Sequence, residues 1–425
     1  MRELKGLWTL DILSLEVFSV LQLYAISEPL FPNLKTLELS FVAGKSISFI
    51  PLFLSPRTTT INITFNSSTS LTAMVAPMVA ALPILCPNLQ NITLLSLPRD
   101  PVIIAAVSRM LLLSNRNAFR RFNVDSPLTE EARQVILKLP DLRELSVAIE
   151  RDTLLPLVVL PNLTRLVVKY DHGSDWLRTF HGATFEKLED VTFFSGSEQI
   201  GEFLEAFEKV ALTASFRNML SRFCLCTPRS WNPNYSSLLP FTQLTDITVH
   251  FSCNGGCSSR VDDDVIMNLA RAMPKLETLQ LGNSPCREIP IGVTVKGLVV
   301  LANHCPDLNE LQIHFQVASL SAPPEIHEVI PHVRSTTIRR DCALRELNVG
   351  EIPMPEESVS MVALTLARIF PHLEAIDRID ENWEKVVDAI CISREIIDYS
   401  GKERHLSIPQ SGFSDISPRS RTREW

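Results

Sequence analysis

Glycine is scarce in this chain: 14 residues in 425, against 28 prolines. Neither Gly-x-x-x-x-Gly-Lys-Ser/Thr nor Gly-x-Gly-x-x-Gly occurs, which excludes the usual backbone cradles for nucleotide phosphates. There is no run of 18 apolar residues, so no membrane-spanning helix is expected. Residues 1–27 are apolar overall, but Asp11 and Glu16 interrupt the stretch that a secretion signal would need. An excess of positive charge is also missing. The formal net charge is −8, which argues against a general nucleic-acid binder, since phosphate binding needs a clustered basic surface. The nine cysteines are odd in number and scattered. Without a secretion signal they read as reduced thiols of a cytoplasmic or nuclear protein. The five Asn-x-Ser/Thr triplets, at Asn62, Asn66, Asn91, Asn162 and Asn234, then read as chance.

Apolar residues are plentiful, at 45%, and they recur in a pattern. Leu-x-x-Leu-x-Leu or a close variant appears as FPNLKTLEL (31–39), CPNLQNITL (86–94), LPDLRELSV (139–147) and LPNLTRLVV (160–168). It continues as FEKLEDVTF (185–193), FTQLTDITV (241–249), MPKLETLQL (273–281) and CPDLNELQI (305–313), and closes with CALRELNV (342–349) and FPHLEAID (370–377). Three long gaps hold degenerate copies, TTTINI (58–63), FRRFNV (119–124) and LSRFCL (220–225), and LKGLWTL from Leu4 reads as a first, worn copy. First-leucine spacings run from 21 to 36 residues, the range of a leucine-rich array.

The second and third apolar residues of each copy stand two apart, so they share one face of a short strand. A single strand cannot bury that face, whereas stacked strands form a continuous interior. Where a proline precedes the strand, as in seven of the ten clear copies, it stops the preceding helix. Return helices are expected at Leu71–Leu85, Val102–Leu113, Thr129–Leu139, Asp262–Met273, Thr294–His304 and Ser358–Phe370. Between residues 142 and 188 the spacings leave room only for turns. The fold expected is α/β: a leucine-rich-repeat solenoid, or horseshoe, over residues 1–378 with about 13 to 14 repeats. Its parallel strands line the concave face, and helices and turns form the convex face. A capping helix is expected over 379–400, through Trp383, Val386, Val387, Ile390 and Ile397, followed by a disordered tail over 401–425.

GVTVKGLVVLANHCPDLNELQI resembles the cysteine-containing leucine-rich repeat, with Gly297, Leu298, Leu301, Ala302, Cys305, Pro306, Leu308, Leu311 and Ile313 at matching positions. Asp263 to Leu281 is a looser match with Met273 in place of the cysteine, and Cys86-Pro87-Asn88-Leu89 is a third. That repeat is typical of F-box/leucine-rich-repeat proteins, and the irregular spacing is most similar to the fungal F-box-like group. The resemblance implies a substrate-recognition subunit of an SCF-type, cullin-RING ubiquitin ligase. In that family an F-box docks on a Skp-type adaptor and the repeats hold the protein substrate. Residues 1–30 carry no Leu-Pro-x-Glu-like segment, and Glu16 to Leu21 is only an echo of the motif. The expectation is therefore a repeat region without its F-box. An adaptor would be a partner only through an upstream F-box, and the alternative is an interaction scaffold with no ligase connection.

Binding is expected on the concave, polar rows. The residue between the last two leucines reads Glu38, Asn62, Thr93, Asn123, Ser146, Val167, Thr192, Cys224, Thr248, Gln280, Gln312 and Asn348 down the repeats. Two residues earlier, the middle repeats carry Arg121, Glu144, Arg165, Asp190, Arg222 and Asp246, a surface of mixed charge suited to one protein patch. His250-Phe251 and His314-Phe315, just beyond the strands, are candidate partner contacts. Cys253 and Cys257 lie near His250 and Cys226 in sequence, but no second close Cys/His pair completes a four-ligand set, so no metal is expected there. No nucleophile with an oriented base is evident, so neither enzymatic activity nor a cofactor is expected. The acidic run Asp262-Asp263-Asp264 reads as a helix start.

Overall fold

The structure, a computed structural model, describes residues 2–6, 20, 29–42, 44–65, 72–115, 119–149, 160–170, 185–195, 204, 207–208, 219–227, 234–251, 261–282, 292–321, 342–349, 352–377 and 381–392. The turn ahead of each strand begins the repeating unit. In Phe31-Pro32-Asn33-Leu34 the Leu34 amide donates to the Phe31 carbonyl at 3.0 Å, and the Leu89, Leu163, Leu276, Leu308 and Leu373 amides reach back three residues in the same way. Proline holds the second position of most of these turns, where its fixed φ is already suitable. Where it is present, that proline both ends the return segment and shapes the turn into the strand.

Each turn opens a short strand. They are β1 (Glu3–Gly6), β2 (Thr36–Val42), β3 (Thr60–Phe65), β4 (Asn91–Leu95), β5 (Arg121–Pro127), β6 (Glu144–Ile149) and β7 (Arg165–Tyr170). The series continues with β8 (Asp190–Ser195), β9 (Arg222–Thr227), β10 (Asp246–Phe251), β11 (Thr278–Leu281), β12 (Glu310–Ile313), β13 (Glu346–Asn348) and β14 (Ala375–Asp377). All pair in parallel with their sequence neighbours, giving one 14-stranded sheet in chain order. The register is constant where it begins. One carbonyl before each strand accepts two amides of the next: Lys35 from Thr59 and Thr60 at 2.9 and 3.0 Å, Gln90 from Arg120 and Arg121, Thr245 from Glu277 and Thr278, and so on to Arg345 with Glu374 and Ala375.

The helices follow the amphipathic segments of the sequence: α1 (Thr72–Leu85), α2 (Pro101–Leu113), α3 (Glu130–Ile136), α4 (Asp263–Ala272), α5 (Val295–His304), α6 (Val317–Ser321), α7 (Val359–Ile369) and α8, residues 381–392. Local chemistry sets their starts. Asp100 accepts from the Val102 amide at 2.8 Å ahead of Pro101, and Asp262 accepts from Val265 at 2.9 Å, each satisfying one otherwise orphaned donor. Between β2 and β3, and between β9 and β10, the return contains a 3₁₀ turn instead, Gly44–Phe53 and Tyr235–Leu238. The expected turns between residues 142 and 188 fall at 150–159 and 171–184, outside the described residues, as does the expected tail.

Strand and helix faces meet in one core. The row Leu37, Ile61, Ile92, Phe122, Leu145, Leu166, Val191, Phe223, Ile247, Leu279, Leu311, Leu347 and Ile376 is buried throughout. Leu4 pairs with Leu37, so β1 enters at the second apolar position and not, as expected, at the first. The turn ahead of β3 places Ser55 and Thr58 where other copies carry apolar residues, and both are buried. Their hydroxyls donate to the Leu34 carbonyl at 3.2 and 3.1 Å, so burial leaves no polar group unpaired.

Gly297 illustrates how tightly adjacent helices dock. Asp263, in the first turn of α4, accepts from the Thr294 and Gly297 amides at 2.8 and 3.1 Å and from the Thr294 hydroxyl at 2.6 Å. It thus caps the neighbouring helix α5 as well as opening its own. A Cβ at position 297 would stand 2.6 Å from Asp263 Oδ1 and 2.9 Å from Val293 Cγ1. Gly297→Ala normally gains about 1 kcal/mol in a helix interior; here overpacking of about 1–3 kcal/mol opposes it. We expect a lower midpoint in chemical denaturation, and a smaller loss when the same change is made in Asp263→Ala.

Candidate functional site

The outward face of the sheet carries the polar rows. The row expected to point outward aligns strand by strand, from Glu38 opposite Asn62 to Asn348 opposite Asp377. It is less open than expected. Ser146, Thr192 and Gln312 are buried, and Gln312 Nε2 donates to the Gly282 carbonyl at 3.1 Å.

The charged row lies two residues earlier in each strand. Arg121, Glu144, Arg165, Asp190, Arg222 and Asp246 occupy six consecutive strands in exact register of pairing, with sign alternating at every step. Neighbouring strands are about 4.8 Å apart, so each charge faces opposite charges first and like charges only at twice that distance. Three ion pairs result: Arg121–Glu144 at 2.6 Å, Arg165–Asp190 at 3.2 Å and Arg222–Asp246 at 3.5 Å. Burial raises the Asp190 carboxyl above its ordinary value; Arg165 and Arg222 pull it down, while Asp246 and Glu144 push it further up. The row is electrically balanced within itself, so it supplies register and directional hydrogen bonding and not a field of one sign. The pairs are partly exposed, each contributing about 0–1 kcal/mol. Asp190→Arg would set three arginines on adjacent strands. We expect it to destabilise by roughly 1–3 kcal/mol, since like charges directly opposite repel, with the loss shrinking as salt screens the surface. Denaturation midpoints at low and high salt check this.

The third outward row runs through Lys169, Phe194, Cys226 and His250. Lys169 Nζ lies 3.9 Å from Asp125 and 5.8 Å from the Phe194 ring centroid. Phe194 is exposed, at 40% of its full area, and is the aromatic on this face that sequence reading passed over. Its position two residues beyond Thr192 was the available signal. His250 is half-buried, burial lowers its imidazole below the ordinary value, and its buried Nδ1 has no hydrogen-bond partner among the described residues. Phe251 continues β10, but its side chain lies outside the described residues, as do Cys253 and Cys257.

Phe315 does not extend this surface. Phe315 is fully buried, edge-on to Trp383 with ring centroids 6.1 Å apart, which corrects its assignment as a partner contact. A large apolar ring two residues past the strand gains more from the interior than from water. His314 is half-buried, and burial lowers its imidazole below the ordinary value.

Among the described residues, the cysteines beside the strands are of two kinds. Burial pushes the Cys86 thiol up to about 11 and the Cys305 thiol to about 12, and raises that of Cys342. Cys305 Sγ lies 3.7 Å from the Met273 carbonyl and Cys342 Sγ lies 3.7 Å from that of Cys305. These thiols are packing elements that stitch one unit to the one before. Cys224 and Cys226 instead stand on the outward face. No helix among the described residues is long and apolar enough to cross a membrane. Compared by sequence, the chain matches no protein-family model and no curated protein.

Proposed function

We propose that this protein is a leucine-rich-repeat horseshoe whose outward sheet face binds another protein, and that it serves as the substrate-recognition part of an F-box/leucine-rich-repeat subunit of a cullin-RING ubiquitin ligase. The observation that supports binding is the in-register polar face, with the balanced ladder from Arg121 to Asp246 at its middle. In a horseshoe the strands take the shorter, inner circumference and the helices the outer one, so these rows converge on whatever lies in the concavity. A neutral ladder favours a partner of mixed charge, held by geometry and hydrogen bonds. The ligase connection is supported by the resemblance of residues 292–313 to the cysteine-containing repeat.

The test is co-purification of the full-length gene product with a Skp-type adaptor, alongside a variant carrying Phe194→Ala and Arg165→Ala. Adaptor retained by both forms, with one further protein lost only from the variant, is the expected result. Absence of the adaptor would overturn the ligase reading. The same partners on both forms would overturn the surface. A second reading, a scaffold acting without the adaptor, needs only the in-register polar face. It predicts the further protein without the adaptor.

A further inference from the structure

Cys224 and Cys226 stand two apart on β9, so both thiols leave the same, outward face of the sheet. Their sulfur atoms are 3.7 Å apart. His250 lies directly opposite Cys226 on β10, and among the described residues its Nδ1 has no hydrogen-bond partner. We propose that Cys224 and Cys226 form a dithiolate chelate for a thiophilic divalent cation of the zinc type, with His250 as a further ligand from the adjacent strand.

The sulfur separation decides between the two chemistries open to such a pair. A tetrahedral cation with metal–sulfur bonds of about 2.3 Å sets its two sulfurs about 3.8 Å apart, which the thiols already satisfy. A disulfide needs the sulfurs at about 2.0 Å and the Cα atoms within about 6.8 Å. Two residues of strand span about 6.6 Å, at the far end of that range. Closing the bond would bend β9, which is held by β8 on one side and β10 on the other. Chelation asks nothing of the backbone.

The two thiols are already in contact on the outward face, through a hydrogen bond that either sulfur could donate. Among the described residues no three donors already converge on one point. The two thiolates are therefore the preformed part of the site, His250 joins by turning its side chain, and water fills the remaining position. Each metal–sulfur bond forms as a thiol proton leaves, so two protons pass to solvent and nothing is oxidised or reduced. The inference is independent of which protein the outward face binds.

Cadmium(II) is the probe, titrated into the reduced full-length chain and followed by the thiolate-to-cadmium charge-transfer band. About one equivalent should bind, and zinc should displace it. The double variant Cys224→Ser/Cys226→Ser should lose the band while keeping the circular dichroism of the parent. Cys253→Ser/Cys257→Ser should retain it. His250→Ala should weaken binding by about tenfold or more, a loss seen even for groups behind metal ligands. A band that survives in Cys224→Ser/Cys226→Ser, or that vanishes in Cys253→Ser/Cys257→Ser, would overturn the proposal. So would a Cys224–Cys226 disulfide found by mass spectrometry in protein that takes up no cadmium. Unchanged affinity in His250→Ala would overturn the role given to that residue.

Discussion

Leu311→Ala should lower stability by about 2–5 kcal/mol, while Gln312→Ala, one residue along the same strand, should cost about 1 kcal/mol. Leu311 is completely buried between Leu279 and Leu347 of the flanking strands. Its truncation removes apolar contacts from both neighbours at once and leaves a cavity that a close-packed row cannot collapse to fill. Gln312 is itself buried, but its cost is that of a hydrogen bond to the Gly282 carbonyl and some packing. Because strands pair only with their neighbours in sequence, the loss should concentrate in β11, β12 and β13. Denaturation midpoints rank the two variants, and hydrogen exchange of the Thr278, Glu310 and Glu346 amides locates the damage. If Gln312→Ala proved the more damaging, the strand would be turned by one residue and the inward and outward rows exchanged.

That ordering was legible in the sequence because period two is a local signal. Leu-x-x-Leu-x-Leu names the inward residues, and the polar row between them follows without any tertiary knowledge. The six return helices were legible for a similar reason, since about 30 residues between strands with apolar residues at helical spacing admit little else. What sequence could not give was anything depending on the contact between units. Gln312 and Ser146 belong by period to the outward row, yet both are buried, because solvent access depends on how closely neighbouring strands and side chains crowd. The charge alternation was visible as a list of residues, but the self-neutralising ion pairs required the register between strands. Cys224 and Cys226 were legible only separately, Cys224 in the outward row and Cys226 near the Cys253–Cys257 stretch. The degenerate copy LSRFCL ends at Leu225, so the strand that carries both thiols on one face, β9, was not marked by the pattern. Phe315 failed in the opposite direction: a position just beyond the strand is a surface position unless a later segment covers it, and that segment, at Trp383, is 68 residues away.

Trp383→Ala should therefore act on the last units rather than on the array as a whole, at a cost of about 3–5 kcal/mol. The indole is fully buried against Phe315, and its Nε1–H donates to the Ile352 carbonyl at 2.8 Å. Asn382 Nδ2 donates to Met354 O at 2.8 Å beside it, and Lys385 pairs with the exposed Glu356 at 2.9 Å. Helix α8 is thus fastened to the segment before α7 by one large apolar anchor and a few polar contacts. Removing the anchor uncovers the Phe315 ring and strips the Ile352 carbonyl of its donor, two penalties that the surface ion pair cannot offset. Trp383→Phe separates them, keeping most of the apolar area while losing the donor, and should cost about 1–2 kcal/mol. Limited proteolysis is the direct measurement: cleavage of Trp383→Ala should begin within residues 352–392 and leave β2 to β10 intact. Simultaneous loss of protection across the whole sheet would mean that the strands unfold as one unit, and that nearest-neighbour pairing does not govern how this protein comes apart.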